Sequence, residues 1–142
     1  CIYLNTKKIN FISMDLKNKL PNIALYAFGG YCTLQSVVIF VFIESIVPQV
    51  FNTTPEGLEI AILMHYGMAP AFLIMGLTAL FATTFELESK RKIILAFLIG
   101  YVPLFGVFYY FLGHEAMNAG IETFIPDIIC FILGLAAYFS KK

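Results

Sequence analysis

The sequence predicts an all-α integral membrane protein, an antiparallel four-helix bundle with both termini in the cytoplasm. Its composition is the first reason, because 60% of the residues are hydrophobic and 13% are charged, against roughly 45–50% and 25% in soluble domains. The second reason is the run 60–85, which contains no Lys, Arg, Asp or Glu. As a helix this run would be ~39 Å long, more than the ~30 Å hydrocarbon core of a bilayer. The third reason is the placement of the basic residues, which gives the orientation of the chain.

The N-terminal segment 1–22 is polar and is predicted to lie in the cytoplasm. Within it, Met14 opens the stretch MDLKNKLP, a plausible natural start. We therefore interpret residues 1–13 as upstream or added sequence. The rest of the chain, 23–142, is predicted to be a single membrane domain.

Prolines and loop residues delimit the spans of this domain. Pro21 suits the first turn of a helix, and Pro48 prevents the first span from continuing far into the next loop. Pro70 and Pro103 lie inside the second and third spans, and a kink is expected at Pro70. The predicted spans are 23–43, 60–85, 93–113 and 124–140.

The basic residues indicate which loops face the cytoplasm. All nine Lys and Arg lie in the N-terminal segment, the loop 86–92 or the C-terminal tail, and the loops 44–59 and 114–123 contain none. By the positive-inside rule, both termini and the middle loop are cytoplasmic. The two loops without basic residues then lie on the outer side of the membrane, which we expect to be a bacterial inner membrane.

Each span carries a line of small or polar residues at helical spacing. Small residues at steps of three and four let membrane helices approach closely, so packing is the expected role of these lines. Cys32 and Cys130 are likewise interpreted as small packing residues, since no metal-ligand spacing occurs and their depths differ. The four lines are Gly29, Thr33, Ser36, Phe40 and Glu44; His65, Ala69, Phe72, Gly76, Ala79 and Thr83; Ala96, Gly100, Pro103, Gly106, Tyr110 and His114; and Asp127, Cys130, Gly134 and Ala137.

One ionisable residue stands on each line: Glu44, His65, His114 and Asp127. Ionisable groups within spans are costly and usually face other helices or a wet cavity. We predict that these four converge at one level in the outer third of the membrane, because facing histidines can share the charge of a buried carboxylate. The alternative is that Glu44 and His114 are interfacial, Asp127 occupies a favourable first helical turn, and His65 bonds a neighbour.

Several kinds of chemistry are compatible with such a cluster. It could hold a metal or a haem, carry protons, or close an apolar pocket, although no HxxxH or ExxH spacing favours a metal. The pocket would be lined by Tyr66, Phe72, Tyr109, Tyr110 and Phe111. No nucleophile–base motif, phosphate loop or dinucleotide fingerprint occurs, so no catalytic residue is assigned. The candidate ligand-binding or proton-handling residues are Glu44, His65, Tyr66, Tyr110, His114 and Asp127.

The order of these features resembles the small four-helix membrane proteins of the DoxX-like group and its uncharacterised relatives. The likeness extends over 23–142 and is carried by the span lengths, Pro48, the stretch His65-Tyr66-Gly67, Gly76 and the acidic Asp127 of the last span. The arginine expected in the third span is missing. The resemblance implies the four-helix fold and, for some members, redox-linked accessory roles.

We therefore expect a non-catalytic membrane protein that binds a small apolar ligand or serves as an accessory subunit. Its partners would be the lipid bilayer, such a ligand, and a second copy or a larger complex. The zero net charge gives no reason to expect nucleic acid. Two alternatives stay open: a proton- or cation-coupled transporter that acts as a dimer through Glu44, His65 and Asp127, and a redox subunit with haem or metal between His65 and His114. No cofactor is assigned.

Overall fold

The computed structural model describes residues 2–118 and 120–140, with side chains described from residue 19 onward. Regular structure in this part of the chain is helical, and one isolated β-bridge joins Phe51 to Met117. The all-α prediction is thus confirmed. The helices are α1 (Ile2–Val50), α2 (Pro55–Ala82), α3 (Leu87–Phe111), a short 3-10 helix (Ile121–Phe124) and α4 (Ile125–Phe139).

Each of α1, α2 and α3, and α4 together with the 3-10 helix before it, provides an apolar segment of membrane-spanning length. The described residues contain four of them, the number that the sequence predicts. Their lengths exceed or approach the ~20 residues that a bilayer core requires. The segments are Lys19–Val50, Pro55–Ala82, Leu87–Phe111 and Ile121–Phe139.

The first helix is longer than predicted, because the segment assigned to a polar N-terminus is helical from Ile2. Pro21 accordingly lies inside α1 and not in its first turn. A proline at such a position forfeits one backbone hydrogen bond. Its side chain is fully buried, so packing against the neighbouring helices offsets part of that cost.

The second and third helices also begin earlier than predicted. Thr54 caps α2 by accepting a hydrogen bond from the amide of Gly57 at 3.2 Å, and Pro55 takes the first helical position, which needs no donor. The helix continues through Pro70 and ends at Ala82.

Two glycines bring α1 and α2 into backbone contact. A Cβ atom on Gly76 would lie 2.7 Å from the amide nitrogen of Thr33 and 2.9 Å from the carbonyl oxygen of Gly29. Only a glycine permits so close an approach, and the packing role predicted for both glycines is confirmed. Farther along the two helices, Glu44 contacts Tyr66.

The buried apolar side chains form two groups. The larger one joins all four helices around Leu25, Phe28 and Ile94, with the ring of Phe28 stacked on that of Phe97 at 4.9 Å between centroids. The smaller one lies between α1 and α2. Its buried members are Ile39, Ile43, Val47 and Ala69.

The predicted packing lines are confirmed on α4 but wrong on α3. Cys130, Gly134 and Ala137 are all buried, as predicted. On α3, by contrast, Gly100 and Gly106 are exposed, and the helix buries Ile94, Leu98 and Tyr101 instead. Large side chains fill the contact of α3 with α1 and α4, so its small residues are left on the opposite side. Cys32 and Cys130 are buried free thiols, as expected for packing residues.

The loops after α1 and α3 contact each other at one end of the helices. The amide of Asn52 donates to the carbonyl of Ala116 at 2.9 Å, and the amide of Asn118 donates to the carbonyl of Val50 at 2.7 Å. At the opposite end, the Arg91 guanidinium donates a hydrogen bond to the Ser140 carbonyl at the end of α4. These contacts hold α3 and α4 beside α1.

Candidate ligand-binding site

A hydrogen-bonded chain of polar side chains joins α1 to α4. The hydroxyl of Tyr31 donates to Oδ2 of Asp127 at 2.8 Å, and Nε2 of Gln35 donates to the same hydroxyl. Tyr31 and Gln35 are four residues apart, so they project from one face of α1. The interaction places a carboxyl group and a phenol among helices that are otherwise apolar.

A cavity of about 620 Å³ lies next to this pair. All four helices contribute to its wall, which is predominantly apolar and includes several aromatic rings. It is lined by Phe28, Tyr31 and Cys32 of α1, Phe72, Met75 and Thr78 of α2, Ile93, Ala96, Phe97, Gly100, Tyr101 and Leu104 of α3, and Asp127 of α4.

The cavity is open on the side where α2 and α3 face each other. These two helices make little contact with one another, whereas α2 packs closely on α1. Their lining residues Met75, Thr78, Ala96 and Gly100 are exposed. In a bilayer this side of the molecule would face lipid, so a lipid-soluble molecule could enter without crossing the polar loops.

The local packing of α3 explains why the opening exists. Adding a Cβ to Gly100 would meet no atom within 4 Å, so this glycine is not needed for close helix contact. Gly100 and Ala96 line the cavity together with the larger side chains of Phe97 and Leu104. The small residues Ala96 and Gly100 therefore border a cavity rather than a neighbouring helix.

The four ionisable residues do not converge as predicted. Asp127 bonds Tyr31, whereas the α2 residue that reaches Glu44 is Tyr66, with 3.4 Å between its hydroxyl and the carboxylate. Tyr31 and Glu44 are separated by ~20 Å along α1 at a helical rise of about 1.5 Å per residue. The hydrogen bond places Asp127 at the height of Tyr31 along α1. The start of α4 therefore lies far from the C-terminal end of α1 at Val50.

Each of the two histidines forms a hydrogen bond with a backbone group near it in the sequence. Nδ1 of His65 lies 2.7 Å from the carbonyl oxygen of Ala61 on its own helix, and its ring contacts that of Phe51 edge-on. Since a carbonyl only accepts, Nδ1 carries the proton there. His114 lies in the loop after α3, where Nδ1 accepts from the amide of Ala116 at 3.2 Å.

The structure thus assigns the predicted candidates to different places. Asp127 lines the cavity, whereas Glu44, His65, Tyr66, Tyr110 and His114 do not. Tyr110 is 65% exposed, and its ring packs against that of His114. Of the five aromatic residues expected in a pocket, Phe72 is in the wall. In the described part of the chain, no three His, Cys, Asp or Glu residues are grouped closely enough to hold a metal ion.

Sequence reasoning missed Tyr31, the direct partner of Asp127. A signal for it is present, because Tyr31 and Gln35 are polar residues one helical turn apart within an apolar span. Tyr101 and the stacked pair of Phe28 and Phe97 carried no such signal. Aromatic residues are common throughout the chain, at 16%, and their sequence positions do not distinguish a cavity wall from a lipid-facing surface.

Charge is distributed unevenly around the cavity. Among the described residues, Asp127 is the one acidic residue that lines it, and no Lys, Arg or His contributes to the wall. The nearest polar neighbours of Asp127 are hydroxyl and thiol groups, which carry no positive charge.

Comparison of the chain with protein-family models, with curated proteins and with solved structures gives no match.

Proposed function

We propose that this protein binds a small, mainly apolar ligand from the bilayer, in the cavity that opens between α2 and α3. The cavity carries the proposal. Its volume of about 620 Å³ falls within the ~300–1,000 Å³ typical of small-molecule sites. Such sites combine an apolar wall with a few convergent polar groups, and Tyr31 and Asp127 are groups of this kind.

The proposal includes a membrane topology. The four helices would form an antiparallel bundle with both termini in the cytoplasm and the loops after α1 and α3 outside a bacterial inner membrane. Contacts between successive helices support the antiparallel order, since Thr33 meets Gly76 while Glu44, later in α1, meets Tyr66, earlier in α2. The absence of Lys and Arg from both outer loops supports the orientation.

The ligand-binding function is compatible with an accessory role in a larger complex, a role that the resemblance to the DoxX-like group implies for some of its members. The transporter alternative draws support from Asp127, because acidic groups inside membrane spans often lie on ion or proton pathways. It would require a second copy, since a cavity that opens to one side is not a pathway. His65 and His114 lie outside the cavity wall, so the redox alternative gains no specific support.

A pair of glycine substitutions on α3 tests the proposed function. Gly100→Leu would fill the cavity, whereas Gly106→Leu would place the same side chain outside it; a Cβ at either position meets no atom within 4 Å. Each variant and the unmodified protein would be purified in a mild detergent, and the co-purified small molecules identified by mass spectrometry.

The expected result is a ligand that remains with the unmodified protein and with Gly106→Leu but is depleted at least tenfold from Gly100→Leu. Equal retention by both variants would contradict the proposal, and so would an unmodified protein that retains nothing beyond bulk lipid.

A further inference from the structure

We infer that the ligand of this cavity is a lipophilic organic cation and that the Asp127 carboxylate is its counterion. The inference rests on the proposed function, because it names the class of molecule that the same cavity would bind. Three features carry it: a half-buried acid with no basic partner among the described residues, an aromatic wall, and an opening toward lipid.

Among the described residues, no basic side chain lies within reach of the acid. On α1, the basic residue nearest to Tyr31 is Lys19, ~18 Å away along the helix, and on α3 the one nearest to Tyr101 is Lys92, ~14 Å away. Lys92 pairs with Glu88, and Arg91 donates to the Ser140 carbonyl at the far end of α4. A carboxylate in an apolar environment is costly unless an opposite charge or a proton neutralises it. The neutralising group must therefore come from outside the cavity wall.

The titratable side chains that face Asp127 cannot supply the neutralising positive charge. Tyr31 and Cys32 face it from α1, Tyr101 from α3, and Cys130 lies one turn along on α4. The α2 lining contributes no titratable side chain. None of these groups is cationic in any protonation state. The Asp127 carboxylate can therefore be neutralised either by a proton or by a cationic ligand, and the two compete for it.

The aromatic wall favours a cation over a neutral molecule of the same shape. Phe28, Phe72, Phe97 and Tyr101 all line the space in front of Asp127. The faces of aromatic rings attract cations through their quadrupole, most strongly where water is excluded. A delocalised or alkylated cation loses little hydration on entering, and the gap between α2 and α3 admits it from the lipid phase.

Three probes of one shape test the charge preference directly. Tetraphenylphosphonium is a cation, tetraphenylmethane is its neutral counterpart and tetraphenylborate is the anion. Binding of each radiolabelled probe to the detergent-solubilised protein would be measured separately by equilibrium dialysis. We expect saturable binding of one cation per chain, with the neutral and anionic probes at least tenfold weaker.

Substitutions and pH locate the charge that is responsible. Asp127→Asn should weaken cation binding at least tenfold, while the matched control Glu44→Gln, an exposed acid outside the cavity wall, should leave it unchanged. For a one-for-one exchange with a proton, cation affinity rises with pH by up to about tenfold per unit while the acid is mostly protonated. This dependence should vanish in Asp127→Asn.

The outcomes separate this inference from the proposed function. If all three probes bind the unmodified protein equally and Gly100→Leu abolishes the binding, the cavity binds lipophiles but the inference of a cation is wrong. If the anion binds best, the inference is likewise wrong. If no probe binds saturably, the inference of a cation is wrong, and the proposed function is then decided by whether the unmodified protein retains a ligand that Gly100→Leu loses. The comparison of probes needs no variant, so it remains decisive even if Asp127→Asn does not fold.

Discussion

The hydroxyl of Tyr31 on α1 lies 2.8 Å from Oδ2 of Asp127 on α4, and 96 positions separate the two residues in the chain. This hydrogen bond connects the first helix to the last one at the wall of the cavity. It satisfies a polar group on each helix that would otherwise face apolar side chains, and it orients the carboxyl group beside the space where a ligand would lie.

Removal of the Tyr31 hydroxyl should destabilise the protein. Tyr31→Phe removes one of the donors to Asp127, which keeps its hydrogen bond to Tyr101, and we expect a loss of about 0.6–3 kcal/mol in the free energy of unfolding. The measurement is thermal unfolding in detergent, followed by circular dichroism. Tyr26→Phe is the matched control, because Tyr26 is also on α1 but is 57% exposed. Equal shifts for the two variants would show that the hydrogen bond contributes nothing.

The close approach of α1 and α2 predicts opposite effects for two glycine substitutions in α2. Gly76→Ala should lower the free energy of unfolding by about 1–3 kcal/mol, because the added methyl group would meet the backbone of Gly29 and Thr33 and force the helices apart. Gly67→Ala meets no atom within 4 Å and should be neutral or stabilising by up to about 1 kcal/mol. Thermal unfolding of both variants provides the comparison, and a Gly76→Ala protein as stable as Gly67→Ala would contradict it.

Substitution of His65 should leave ligand retention unchanged. The imidazole bonds a carbonyl of its own helix and lies outside the cavity wall, so His65→Leu removes no contact that a ligand in the cavity would make. The measurement is the amount of co-purified ligand relative to the unmodified protein. A loss comparable to that caused by Gly100→Leu would instead assign to His65 the binding role that the sequence predicts.

The proposed topology predicts that Thr53 and Ser89 lie on opposite sides of the membrane. Both side chains are exposed, so Thr53→Cys and Ser89→Cys should react with a membrane-impermeant maleimide, the first from outside intact cells and the second only after lysis. Cys1→Ser would serve as the background, since Cys32 and Cys130 are buried. Labelling of both positions from the same side would overturn the topology.

The sequence by itself determined the class of structure. Four apolar runs of spanning length and the near absence of charge within them require helices, because a backbone in hydrocarbon must satisfy its own hydrogen bonds. The packing face of α4 was also predictable, since its small residues Cys130, Gly134 and Ala137 recur at helical spacing and are buried. These conclusions depend on local composition and period alone.

Only the tertiary structure decided where the site lies. The small residues of α3 have the same spacing as those of α4, yet Gly100 borders a cavity because larger side chains of α3 fill its contacts with α1 and α4. The partner of Asp127 was likewise decided by relative helix height. Counting from the loops assigned Asp127 to the level of Glu44, whereas the start of α4 lies lower and brings Asp127 to Tyr31. Helix period is a local property, but depth and helix pairing depend on how all four helices pack.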